Sequence, residues 1–243
     1  MARSVARNLP FSDRLYFTAA ASLLTLLVIV AFTPSYFLHS LFQRPAPTPF
    51  IAFHGLLMTG WLLLLVIQTL LVVCGLHRWH KRLGYVGAAY AAFVVPIGCM
   101  ATLAAAAREV HGHSRFVAFQ LNVLGLELMQ MALFGGFVAA ATISRHRADQ
   151  HKRLILMATL CIVPNAIVRL SFLPPFAFLG SNLAILHAWT LLLLGVGTVD
   201  ALRIRRLHPA YLWSMPLAVF ALYSAWAVSL TASWDDFWLR SLV

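Results

Sequence analysis

Charge is what this chain has least of. Only 10% of its 243 residues are Asp, Glu, Lys or Arg, and seven are acidic. A water-soluble domain of this length carries roughly a quarter charged residues. A tenth cannot cover a water-exposed globule, and with 61% hydrophobic residues the solvent has to be lipid. Cysteine is scarce as well: Cys74, Cys99 and Cys161 each sit inside an apolar run, without a C-x-x-C partner. That excludes a disulfide framework and reads as three small membrane-embedded side chains. Lys81 and Lys152 are the only lysines and both lie between apolar runs. No helix core therefore offers an amine for a retinal Schiff base.

Several signatures are missing outright. The chain contains no G-x-x-x-x-G-K-[ST], G-x-G-x-x-G, G-x-S-x-G or H-E-x-x-H, which speaks against nucleotide-driven chemistry and the common soluble hydrolases. It also lacks C-x-x-C-H for covalent haem and the histidine boxes of membrane desaturases. A net charge of +11 would point to nucleic acid in a soluble protein. Here the basic residues fall in short loops between apolar runs, so no nucleic-acid partner is expected and the partner is the lipid bilayer.

Crossing the hydrocarbon core takes about 20 apolar residues in a helix. Seven stretches qualify, roughly 15–33, 50–75, 84–107, 116–143, 153–174, 182–202 and 210–231. The expectation is an all-α polytopic membrane helical bundle, a single transmembrane domain over 1–243. The basic segment Met1 to Arg14 before the apolar run Leu15 to Phe32 resembles a signal peptide. That run is long enough to span and no A-x-A site follows it, so it reads as an uncleaved first helix. Lys and Arg decide orientation. Arg3, Arg7, Arg14 and the loops around 78–82, 145–153 and 203–206 collect thirteen; the other side has only Arg44, Arg108, Arg115 and Arg240. The amino terminus is expected inside and the carboxyl terminus outside, in a bacterial cytoplasmic (inner) membrane.

The tetrapeptide His-Lys-Arg-Leu occurs twice, at His80–Leu83 and His151–Leu154. Polar positions His54, Gln120 and His187 echo each other upstream, and Pro96, Pro164 and Pro216 fall in the outward spans. One leading helix followed by three parallel helical hairpins accounts for this pattern, an architecture met in transporters and in duplicated cofactor-binding bundles.

Polar residues inside the spans are expensive and mark functional candidates. Helix 2 puts His54, Trp61 and Gln68 on one face; helix 4 puts Gln120, Glu127 and Gln130 on another; helix 5 carries Asn165 and Arg169. At about 1.5 Å rise per residue, His54, Gln120, Arg169 and His187 all lie within roughly 6–9 Å of the outer boundary. His54 and His187 are candidate ligands for a b-type haem or a transition-metal ion, Arg169 a clamp on an anionic group such as a propionate, and Gln120 part of the same layer. Glu127, Gln130, Asn165 and Gln68 lie deeper, as a polar or proton relay. Each has a plainer reading: interfacial histidines bonded to carbonyls, an arginine snorkelling to headgroups, a neutral hydrogen-bonded Glu127 partnered by Gln130 or Asn165. His77, His80, His146, His151 and His208 read as helix-end and headgroup contacts among the basic loops. His111 and His113 form a weak H-x-H metal pattern.

Phe53-His54-Gly55, the run Trp61 through Gln68, the His80-Lys81-Arg82-Leu83-Gly84 turn and the second His-Lys-Arg-Leu turn resemble a group of uncharacterised bacterial multi-pass membrane proteins. The resemblance covers helices 2 to 5 and implies the helical membrane fold, with no activity attached. The H-x-x-L-G turn is also similar to that of cytochrome b561-type electron-transfer proteins. Their paired haem histidines span both leaflets, whereas the intramembrane histidines here gather on the outer side. The expectation is thus a redox or cofactor-binding membrane protein, with a quinone or other membrane subunits as partners; the alternatives are a proton-coupled carrier of a small solute and an accessory subunit of a larger complex.

Overall fold

The computed structural model describes residues 11–242, all of whose regular elements are helical. Arg3, Arg7 and most of the basic leader lie outside the described residues. The elements are α1 (Phe11–Phe32), a short π-helical turn (Thr33–Phe37), α2 (Pro49–Val73), α3 (His77–His111), α4 (Val117–Ile143), α5 (Ala148–Cys161), α6 (Pro164–Leu170), a 3-10 turn (Pro174–Leu179), α7 (Asn182–Ile204), α8 (Pro209–Ser229) and α9 (Ala232–Leu242). Six of these helices are long and apolar enough to cross a membrane, and α5 with α6 meets the same measure when the bent pair is counted as one span. The chain is a multi-pass membrane protein.

Local chemistry sets the helix ends. Thr48 caps α2 by accepting from the Ile51 N–H at 3.4 Å, with Pro49 pre-set at the first helical position. Gly75 then takes φ +75°, a left-handed turn that an L side chain resists, and α3 starts two residues later. Ser181 caps α7 by accepting from the Ala184 N–H at 3.1 Å.

The core lies where α4 and α5 meet. Phe134, Phe137, Leu154, Met157 and Leu160 are fully buried there, with Trp189 from α7 and Leu222 from α8. Trp61 of α2 packs edge-on against Phe134 at 4.8 Å and donates to Thr159 Oγ1 at 3.2 Å. The stripe His54–Trp61–Gln68 therefore does face inward at its middle.

The expected continuous span over 153–174 is broken. Between Cys161 and Pro164 the axis bends by 41°. Pro164 has no N–H to offer the carbonyl four residues back. That carbonyl, of Leu160, accepts instead from the Val163 N–H at 3.2 Å and from Trp189 Nε1 at 2.8 Å, so the break leaves it paired. The other departure is α9, a surface helix past the last span. It packs Trp234 and Trp238 over the ends of α3 and α4, and Trp234 Nε1 donates to the Leu121 carbonyl at 2.9 Å.

Candidate functional site

The basic residues that end the helices at one end of the bundle do not all face headgroups. Asp13 of α1, Arg153 of α5 and Asp200 of α7 are 4%, 1% and 0% exposed, which makes them core residues. Arg153 Nε bonds Asp200 Oδ2 at 2.6 Å, and its Nη1 donates to the Asp149 carbonyl at 2.8 Å. Arg203 joins Asp200 to Asp13, the latter at 2.6 Å, and Lys152 joins Asp13 to Asp149. Aromatic faces complete the cage: Arg203 lies 4.8 Å from the Tyr16 ring centre, and Arg153 lies 5.6 Å and 6.0 Å from those of Phe17 and Tyr211. Three cations thus share three carboxylates across α1, α5 and α7. Sequence reasoning missed this, because only Lys and Arg enter the orientation rule; the signal was two acids, Asp13 and Asp200, placed among the basic residues of that same end.

At the same end the two His-Lys-Arg-Leu turns come together. The His80 and His151 rings lie 6.4 Å apart between centroids and 84° from coplanar. His151 has its Nδ1 on the Ala141 carbonyl at 2.8 Å, while the His80 Nδ1 lies 3.3 Å from the Gln68 carbonyl and within reach of the Gln68 side-chain amide. In His151 this leaves Nε2 as the ring nitrogen without a protein partner, the carbonyl fixing the ring by its other nitrogen.

Gln68 controls one of the two rings. With its amide oxygen accepting from the Gly84 N–H at 2.9 Å, its nitrogen donates to His80 Nδ1 at 2.6 Å, which places the ring proton on Nε2. A half-turn of the amide presents oxygen to Nδ1 and leaves the Nε2 lone pair free for ligation.

The outer layer is more dispersed than its sequence spacing implied. His54 is half-buried on α2 with its Nδ1 unpartnered, while His187 is exposed on α7 and lies 5.9 Å from the Tyr223 ring. The extensive neighbours of α2 are α1 and α3, and those of α7 are α6 and α8, so the two histidines share no seam. Arg169 is exposed, its guanidinium 5.4 Å from the Phe32 ring, and Gln120 is half-buried near the start of α4. Glu127 accepts from Thr102 of α3 at 2.9 Å, a partner that helix-face reasoning within α4 and α5 could not supply. Gln130 and Asn165 line, with Asn182, one cavity of about 20 Å³; Gln130 is 2% exposed and its Oε1 has no partner. That volume is the size of a single water site. Gln68 is separate from this group, being bound to the His80 cluster.

His208 caps α8 next to the ion-pair network, its Nδ1 accepting from the Ala210 N–H at 3.1 Å. Burial, then the nearby Arg153 charge, holds its pKa below the ordinary imidazole range. Because the folded value is the lower one, its contribution to stability is complete above about pH 6.5 and is lost as pH falls below it, where the unfolded chain takes the proton first. Thermal melts in detergent should show that slope, and His208→Asn, which keeps an N-cap acceptor, should flatten it.

Fold and site together define an all-α, multi-pass membrane bundle with a buried ionic core and an imidazole pair at its basic end. No family model, curated protein or solved structure matches the chain.

Proposed function

We propose that this chain is a redox protein of the bacterial cytoplasmic membrane that holds a b-type haem between His80 and His151. The observation that carries this reading is the approach of the two rings at 6.4 Å, with the His151 Nδ1 on the Ala141 carbonyl and the His80 Nδ1 beside Gln68. Among the described residues no group of three His, Cys, Asp or Glu side chains converges. Two imidazoles without a third protein ligand suit a metal that brings its own equatorial nitrogens better than a bare ion. Such a group, when bound, supplies one-electron transfer. His80 and His151 would hold it, Gln68 would set the His80 tautomer, and Ala141 would orient His151. A quinone or another membrane subunit is the fitting exchange partner.

The test is an optical spectrum of protein purified from haem-replete cells. A Soret band is expected, abolished in His80→Ala and in His151→Ala and retained in a His54→Ala/His187→Ala double variant. Colourless wild-type protein sinks the reading, and loss only in the outer double variant returns the site to His54 and His187.

One observation favours a second reading, a proton-coupled carrier: Glu127 is a carboxyl group within a membrane span, hydrogen-bonded to Thr102. Uptake into proteoliposomes that depends on a pH gradient and disappears in Glu127→Gln would support it.

A further inference from the structure

A second candidate ligand site lies at the basic end, apart from the imidazole pair. A cavity of about 500 Å³ opens between the starts of α5 and α8, lined by Arg147, Asp149, Gln150, His208 and Trp213 along with the Pro209–Ala210 step. Its charges come in both signs. Arg147 is exposed and forms no ion pair among the described residues. Asp149 has a side chain 58% exposed and gives only one oxygen, at 3.0 Å, to Lys152. Trp213 is 40% exposed and leans on Phe137 with one side, ring centroids 5.7 Å apart, which leaves the rest of the indole toward the opening. His208 spends its Nδ1 on the α8 cap and, being held neutral, adds no charge of its own.

A cation, an anion and an aromatic face at one membrane-end cavity match a zwitterionic group rather than a simple anion. We propose that this cavity binds the headgroup of phosphatidylethanolamine from the cytoplasmic leaflet. The phosphate takes the Arg147 guanidinium and the Gln150 amide. The ammonium takes the free oxygen of Asp149 and the face of Trp213. The position supports a lipid source, because Trp213 stands one turn inside an apolar span, at the depth where aromatic side chains line the headgroup boundary. An anionic headgroup without an amine would set its phosphate against the second oxygen of Asp149, the one Lys152 does not hold, with no cation between them.

Delipidated protein in detergent is titrated separately with phosphatidylethanolamine, phosphatidylglycerol and soluble O-phosphoethanolamine, with native mass spectrometry and thermal melting as readouts. Phosphatidylethanolamine should be retained as one lipid per chain and raise the melting temperature, with phosphatidylglycerol bound several-fold more weakly. Arg147→Ala should weaken retention of both lipids. Asp149→Asn should keep retention but erase the preference between them; a merely structural role would lower the melting temperature and leave the preference intact. Equal retention of the two lipids by the wild-type chain overturns the proposal. So does a full thermal shift from O-phosphoethanolamine alone, which would make the ligand a free phosphoamine and not a lipid.

Discussion

Asp200→Ala is expected to destabilise the folded chain by about 3–5 kcal/mol, the range for stripping the partner from a buried charge. Asp200 is fully buried and, among the described residues, is the only carboxylate bonded to the Arg153 guanidinium, which is itself 1% exposed. Removing it leaves Arg153 with the Asp149 carbonyl and two aromatic faces, none of which carries a full negative charge. Arg203 suffers less because it keeps Asp13. The diagnostic comparison is Arg153→Met/Asp200→Leu, which removes both charges and fills the space with apolar atoms; it should be milder than either single change. Denaturation in mixed micelles, followed by tryptophan fluorescence, measures the three variants. If the double variant is as unstable as the sum of the singles, the network is not acting as a coupled unit.

Trp189→Ala should cost about 3–5 kcal/mol, for two separable reasons. The side chain is 0% exposed at the centre of the core, so truncation opens a cavity among Leu160, Leu186 and Leu193. Its indole N–H is also one of the two donors to the Leu160 carbonyl at the helix break, beside the Val163 N–H. Trp189→Phe keeps much of the volume and removes the indole donor while the carbonyl keeps the Val163 N–H, isolating the second term at about 0.5–1.5 kcal/mol. A Pro164→Ala change on that background offers the carbonyl a second backbone N–H and should return part of the loss. Absence of any return would mean that the break does not depend on the missing proline donor.

The spans were legible because lipid demands one thing of each, an apolar run of sufficient length. The break in the fifth was written in Pro164, but its repair by Trp189 was not, since that bond joins helices 29 residues apart in sequence. The duplicated His-Lys-Arg-Leu turns stood out as a repeat, yet basic neighbours made their histidines look like headgroup contacts. Only folding decides which helix ends meet, and here the two turns bring the His80 and His151 rings to 6.4 Å. The outer polar layer shows the opposite error. Equal depth along separate helices says nothing about which helices are neighbours, and His54 and His187 are on helices that are not. Glu127 was correctly singled out as a polar group in the span, but its partner Thr102 is a residue of ordinary polarity on the preceding helix.

The ionic core has a consequence for the order in which the chain can be assembled. Lys152 and Arg153 enter the bilayer region with α5, when Asp13 of α1 is already in place but Asp200 of α7 has not been made. Until residue 200 emerges, Arg153 lacks its counter-ion, and a bare guanidinium stays with water and headgroups. The network can therefore close only after α7 has been made, since α7 carries both Asp200 and Arg203. The basic residues that crowd this end of the chain are, in the folded protein, the clasp that joins α1, α5 and α7.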